Sequence, residues 1–349
     1  MKILSIDYHL SEAERIKEIE HPNKMQLEAI QYAGYDQFWK EPNGVRQMTS
    51  AAAMKAILSS NLQPEDIAFI VAGQSGIPDY IGIDLACQVG AELDCSDVRT
   101  VNLVESCGSG ISVWFHAASL VSALPTGRVG LVVVAQRVSD AHQDRFGVMN
   151  AVLSDGAAAA VVVSDEWPSS VTTIRYLAGD DISDCRYVDM MRVEYGGGRQ
   201  PVLPDWYDIQ NGKLGRERIM DLYKFKPDDL QAFLTLRANN NIKIIERVTS
   251  QLGRNLKNPF LLQTLEGIQS IKSLCDRLSI PYERSNLSLL SKLGHVGCAD
   301  LLISLKMILD QDDIKPGDDI IMSTISTGLK WGAAIFQYGE SKIRDVCNQ

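Results

Sequence analysis

The chain has 349 residues, 45% of them hydrophobic, enough for one large α/β unit or two fused halves of ordinary domain size. Its formal charge of −10 argues against nucleic acid and anionic membrane surfaces as main partners, and no run approaches the roughly 18–20 uninterrupted apolar residues of a membrane span. Seven cysteines without a CxxC pair, and an N-terminal MKILSIDYHL interrupted by Asp7, point to a reducing cytoplasm and a first strand, not a secretion signal.

Residues 1–60 then read as a polar stretch and a helix, punctuated by Pro22 and the turn Pro42-Asn43-Gly44, with Thr49 as the expected N-cap of a helix through 51–58. A buried strand follows at 67–72 and a helix at 84–93. Val101-Asn102-Leu103-Val104 is β-prone, and the apolar residues after Gly110 fall at helical spacing, so Cys107 sits where a strand ends and a buried helix begins. Gly108 and Gly110 permit close approach there. The helix dipole at such a place favours the thiolate, which makes Cys107 a candidate nucleophile; a small thiol packed in a core is the other reading.

A strand at 130–135 comes next, and Ser154-Asp155-Gly156 turns into an apolar strand at 157–163. Residues 164–226 are the least regular, with Gly196-Gly197-Gly198, Pro201 and Pro204; they read as a lid, a substrate wall or a solvated connection. The triple glycine lacks the strand-then-helix setting of a phosphate site. Regular structure resumes with a long amphipathic helix at 228–252, a strand at 259–264 and a helix at 266–278. Gly294-His295-Val296-Gly297-Cys298-Ala299-Asp300 then leads into a helix through Ile308, and strands at 319–323 and 331–336 flank the Thr327-Gly328 turn.

The two halves share this order, so the chain divides into 1–165, an irregular insertion 166–226, and 227–349. Cys107 and His295 occupy matching places, each just before the buried central helix of its half. Packing two such βαβ halves back to back brings a thiol and an imidazole together. The five histidines show no metal-ligand spacing, so no metal site is expected.

A Cys before a buried helix, then Ser154-Asp155-Gly156-Ala157-Ala158-Ala159, a Gly-rich turn before a second helix, and Gly328-Leu329-Lys330-Trp331-Gly332-Ala333-Ala334 together resemble the thiolase superfamily, most of all its β-ketoacyl-[acyl-carrier-protein] synthase III branch. The resemblance covers most of the chain outside 1–60 and 164–226. It implies a thiolase-like α/β fold of two pseudo-symmetric halves in a five-layer α-β-α-β-α sandwich, dimerising through its first half. It implies that Cys107 takes an acyl group as a thioester from coenzyme A or a phosphopantetheine-bearing acyl carrier protein, with no tightly bound cofactor. It also implies an oxyanion hole from the backbone N–H of Cys107 and an N–H in the Thr327–Gly328 turn.

Two departures shape the functional expectation. Thr264 stands where the condensing enzymes carry a His, and His295 stands where they carry an Asn. Gly-His-Val-Gly-Cys-Ala-Asp resembles branch members that move an acyl group to an alcohol or amine in natural-product pathways. Such a transfer needs a base near neutrality, which His295 suits. Asp300 would orient that ring, or serve its helix N-terminus. The Trp and Arg that clamp the coenzyme A adenine are not recognisable.

The reading is therefore a cytoplasmic, homodimeric acyltransferase with Cys107, His295 and Asp300 at its centre and a small-molecule acceptor. A C–C bond-forming synthase and a non-catalytic partner subunit are the alternatives. Asp155 is expected to hold its turn, His116 to lie on the buried helix face and Cys298 to pack in the second helix. Glu105 and Ser106 line the thiol's pocket or merely pack. Lys213, Arg216 and Arg218 form either a docking patch for an acidic carrier or a solvated loop.

Overall fold

The computed structural model describes residues 1–21, 23–148, 150–168, 173–210 and 215–339; Pro22, Lys213 and Cys347 lie outside the described residues. The first part of the chain runs β1 (Lys2–His9), β2 (Glu12–Arg15), α1 (Lys24–Tyr32), β3 (Gln37–Lys40), α2 (Val45–Ser59), β4 (Ile67–Gly76), α3 (Leu85–Glu92), β5 (Arg99–Leu103), α4 (Ser109–Val121), β6 (Val129–Arg137) and β7 (Gly156–Val163). The rest runs β8 (Thr173–Ser183), α5 (Gly215–Tyr223), α6 (Pro227–Ser250), β9 (Phe260–Gln263), α7 (Ile268–Leu278), α8 (Leu290–Leu293), α9 (Asp300–Asp310), β10 (Asp319–Ser326) and β11 (Lys330–Gly339).

The strand order β5-β4-β6-β7-β1-β8-β11-β10-β9 carries the internal symmetry. In the first half β4 pairs parallel with β5 and β6, and β6, β7 and β1 continue antiparallel. In the second, β9 pairs parallel with β10, and β10, β11 and β8 continue antiparallel. A single parallel bridge, Leu261 to Ser285, stands where a counterpart of β5 would lie. Within the sheet, β1 and β8 join the halves through the antiparallel pairs Lys2↔Arg175 and Ile3↔Ile174.

Side-chain alternation explains the layers. Along β6 and β7, Leu131, Val133, Ala157, Ala159 and Val161 pack with α2 and α3, whereas Val132, Val134, Ala158 and Ala160 face the central core that includes α4 and α9. Strands covered on both faces read as continuous apolar runs, as these do. Helix α6 packs on β8, β10 and β11 from the far side. The result is the expected five-layer thiolase-like sandwich, with α4 and α9 in its middle.

Two local expectations differ from the structure. The stretch 166–226 contains β8, eleven residues paired with β11 from Thr173 to Ser183, and the helix α5. Thr49 is not an N-cap: α2 begins four residues earlier, and Thr49 bonds back to the Val45 carbonyl. Its first amides, Val45 and Arg46, donate instead to the two carboxylate oxygens of the distant Asp79, a cap that local sequence cannot reveal.

Candidate active site

Cys107 lies in a short 3-10 turn, Ser106–Gly108, between β5 and α4. Ser106 has a φ of +50°, a left-handed conformation that costs a non-glycine residue about 1 kcal/mol. The Ser109 hydroxyl, accepting from the Glu105 N–H at 2.9 Å, holds that sharp turn. Gly110 admits the other half of the molecule, because a Cβ there would collide with the carbonyl oxygen of Cys298. The glycine thus brings two helix starts together; it does not simply clear space at the sulfur.

His295 is held in extended backbone. Its N–H donates to the Val152 carbonyl at 2.8 Å, and its own carbonyl accepts from the Ser154 N–H at 2.9 Å and the Gln136 Nε2 at 2.8 Å. Gly297, at φ +55°, passes where any side chain would strike the Gln136 amide. These contacts aim the ring at the first half: His295 Nε2 lies 3.3 Å from Cys107 Sγ. On the other side Nδ1 donates to Asp300 Oδ2 at 2.6 Å. Asp300 is fully buried and also accepts from the N–H groups of Val296 at 2.6 Å and Leu265 at 2.9 Å, so both oxygens are engaged.

Burial of the imidazole works to lower its pKa, but the Asp300 carboxylate and then the Cys107 sulfur outweigh it and raise the value well above 6.5. Both neighbours thus favour the protonated form of the ring. The Cys298 thiol, by contrast, is pushed up to about 12 by burial. It points at the Ala135 carbonyl, 3.2 Å away, and only packs.

Cys107 and His295 share a cavity of about 500 Å³ with Ser326 and Thr327. Gly328 follows in the same turn between β10 and β11. Met190, Met191, Val193 and Ile219 from the irregular stretch and Phe233 and Leu234 from α6 give the wall its apolar part. The stretch thus forms part of the cavity wall, and Arg216 belongs to the same lining. Arg218 instead donates to the Arg192 carbonyl. The cavity also exposes an ion pair that the sequence reading missed, Arg237 of α6 with Glu266 just after β9. Phe233 and Arg237 are one helical turn apart, so a charge interrupting the apolar face of α6 was the available signal.

The remaining candidates fall into place around this centre. Thr264 is buried and bonds to the Thr324 hydroxyl at 2.8 Å and the Ser323 carbonyl at 3.3 Å, leaving no imidazole at that position. Asp155 binds both Arg145 Nη atoms at 2.9 Å and accepts from the Val138 and Glu41 amides, an arrangement that holds its turn. Ser106 lines the cavity, whereas Glu105 pairs with Lys330. His116 corrects an expectation: it is exposed, because α4 buries Val113, Trp114 and Ala117 and turns the 116 and 119 positions outward. Among the described residues no helix is long and apolar enough to cross a membrane, and no group of three or more His, Cys, Asp or Glu could hold a metal.

Comparison with known proteins agrees with this architecture. Residues 260–338 match the family described as 3-Oxoacyl-[acyl-carrier-protein (ACP)] synthase III C terminal. The β-ketoacyl-[acyl-carrier-protein] synthase III of Aquifex aeolicus (strain VF5) is 23% identical over 296 residues, covering 84% of each chain. Among solved structures, the acyltransferase ChlB3 superposes with a TM-score of 0.80 at 19% identity, over 97% of this chain and 98% of its own. The Aquifex aeolicus VF5 synthase III gives 0.75 at 19% identity, over 97% and 99%. The chain is a thiolase-fold protein similar to the β-ketoacyl-[acyl-carrier-protein] synthase III group.

Proposed function

We propose that this thiolase-fold chain is a ping-pong acyltransferase that accepts an acyl group on Cys107 and passes it to a hydroxyl or amine. The observation that carries the reading is the Sγ–Nε2 separation of 3.3 Å with Asp300 behind the ring, in a chain whose Thr264 is tied to β10. A decarboxylating condenser needs a second group to hold its enolate oxygen, and the Thr264 hydroxyl is committed elsewhere.

The steps follow from the adjacent sulfur and imidazole, with His295 Nε2 taking the Cys107 proton as the sulfur attacks. The Cys107 sulfur attacks the thioester carbonyl carbon and forms a new C–S bond. The carbonyl oxygen becomes an oxyanion, held by the Cys107 N–H and an N–H of the Thr327–Gly328 turn. Collapse breaks the donor's C–S bond, and the departing thiol takes the proton from His295 Nε2. Acylation leaves a neutral thioester beside the ring. The ring is then neutral and serves as base: Nε2 takes the acceptor's proton as its oxygen or nitrogen attacks. Collapse expels the Cys107 sulfur and restores the imidazolium, which Asp300 stabilises throughout.

The donor is a coenzyme A or carrier-protein thioester, whose phosphate or acidic carrier Arg216 would meet at the cavity. The acceptor would face the Arg237–Glu266 pair. A homodimer would form along the free edge of β5, which the exposed Val104 directly follows. Natural-product or lipid-like biosynthesis in the cytoplasm is the setting that fits such chemistry.

Intact-mass analysis after incubation with acyl-coenzyme A, acyl carrier protein thioesters and N-acetylcysteamine thioesters tests the nucleophile. An acyl adduct is expected on the wild type and not on Cys107→Ala; no adduct with any donor, or an undiminished one in the variant, rejects the assignment. The second reading, C–C bond formation, is favoured by the synthase III names of the relatives. Carbon dioxide release from a malonyl donor with a chain-extended product would replace the first reading with it.

A further inference from the structure

The two amides expected at the thioester oxygen come from opposite halves of the molecule. One belongs to the Cys107 turn after β5, the other to the turn that joins β10 and β11. Stabilising an oxyanion requires both donors to be fixed within about 0.5 Å of the productive geometry. Ser326 and Lys330 are the last cross-strand pair of the β10–β11 hairpin, so they bracket the turn of residues 327–329 from both sides. Both reach the same residue, two positions before Cys107. The Ser326 hydroxyl donates to the Glu105 carbonyl at 2.8 Å, and Lys330 Nζ meets Glu105 Oε2 at 2.6 Å.

Neighbours hold this junction in place. The Ser112 hydroxyl on α4 donates to Glu105 Oε2 at 2.6 Å, and Asp181 on β8 lies 3.2 Å from Lys330 Nζ. Gly108, immediately after the nucleophile, leaves room for the hairpin: a Cβ there would sit 3.3 Å from Ser326 Cβ and 3.4 Å from Lys330 Cδ. The pair is mutually charged. Burial would raise the Glu105 carboxyl, but Lys330 and Ser112 bring it below its ordinary value, and Glu105 holds the Lys330 ammonium above its own against the opposing effect of burial.

We infer that Glu105 is a positioning residue which, through Ser326 and Lys330, sets the spacing between the two amides of the oxyanion hole. It touches neither the sulfur nor the substrate; it fixes the turn of one half against the turn of the other. The inference rests on the acyl-transfer reading of Cys107.

The test compares two reactions of the same sulfur. Acylation by an N-acetylcysteamine thioester passes through an oxyanion, and alkylation by iodoacetamide does not. Rates at Cys107 are followed by peptide mass for the wild type, Ser326→Ala, Lys330→Met and Lys330→Arg. Ser326→Ala and Lys330→Met should slow acylation on the order of 10- to 100-fold, less than the 10²–10³-fold loss of deleting a donor outright. Alkylation should stay within about twofold in Ser326→Ala, which changes no charge, and Lys330→Arg should recover most of the acylation rate. Acylation at the wild-type rate in both Ser326→Ala and Lys330→Met overturns the inference. So does a parallel fall of acylation and alkylation in Ser326→Ala, which marks a general disturbance of the thiol. A wild type that is alkylated at Cys107 but never acylated would instead reject the acyl-transfer reading itself.

Discussion

Replacing Asp300 with Asn keeps the side-chain volume and removes the charge behind the imidazole. The carboxylate accepts three hydrogen bonds, from His295 Nδ1 at 2.6 Å, Val296 N–H at 2.6 Å and Leu265 N–H at 2.9 Å. An amide has one acceptor oxygen and a donor NH₂, so at least one of these buried donors meets another donor, at a cost of about 1–3 kcal/mol. The ring also loses its counter-ion. At 2.6 Å and an effective dielectric of about 20, the Coulomb attraction of the pair is roughly 6 kcal/mol. The amide dipole and the relief of carboxylate burial recover part of it. A net loss of about 4 kcal/mol in the step that forms imidazolium corresponds to roughly 10³-fold in rate. The assay starts from the acylated enzyme, adds acceptor, and follows decay of the adduct by quenched intact mass. Asp300→Asn should decay about 10³-fold more slowly, with its pH–rate profile moved to lower pH because a factor raising the His295 value is gone. Decay within about threefold of the wild type would refute the role given to Asp300.

Three further outcomes follow from the same geometry. Gly110→Ala drives a methyl group into the Cys298 carbonyl; it should cost about 1–3 kcal/mol by denaturant titration and slow transfer as the two halves part. Glu266→Gln should leave acylation of Cys107 unchanged but raise the acceptor KM about tenfold, since the Arg237 pair faces the cavity and not the sulfur; unchanged steady-state constants would remove the pair from acceptor binding. The raised His295 value means that its contribution to stability is complete below the unfolded value of about 6.5 and is lost as pH rises through the folded one. The difference in unfolding free energy between wild type and His295→Gln should therefore shrink as pH increases, and a difference that grows with pH would contradict the charged ring.

Much of the architecture was legible because burial on both faces leaves a plain mark. Strands β4, β6 and β7 carry almost unbroken apolar runs, and matching them to β9, β10 and β11 already aligned Cys107 with His295. Strand β8 was hidden for the opposite reason. Thr-Ile-Arg-Tyr-Leu-Ala-Gly-Asp-Asp-Ile-Ser is half exposed and broken by a glycine and two acids, and it is a strand because β11 pairs along its whole length. The Asp79 cap of α2 and the Glu105 contacts with Ser326 and Lys330 join residues far apart in the chain, beyond the reach of local pattern. His116 went astray because α4 is apolar enough to suggest burial all round, yet it keeps one outward stripe. The Arg237–Glu266 pair was missed because an isolated charge on an amphipathic helix reads as solvated surface, and only the fold turns it toward the cavity.

The most direct test of the central claim is a chase of the isolated acyl-enzyme. Wild type and His295→Ala are acylated with the same donor, freed of excess thioester, and mixed with a panel of alcohols and amines while the mass on Cys107 is followed. The account predicts that some acceptor strips the wild-type adduct and becomes acylated itself, while the His295→Ala adduct persists at least about 10²-fold longer. Equal loss from the two proteins, or a wild-type adduct that survives every acceptor and is consumed only by a malonyl donor, would contradict it.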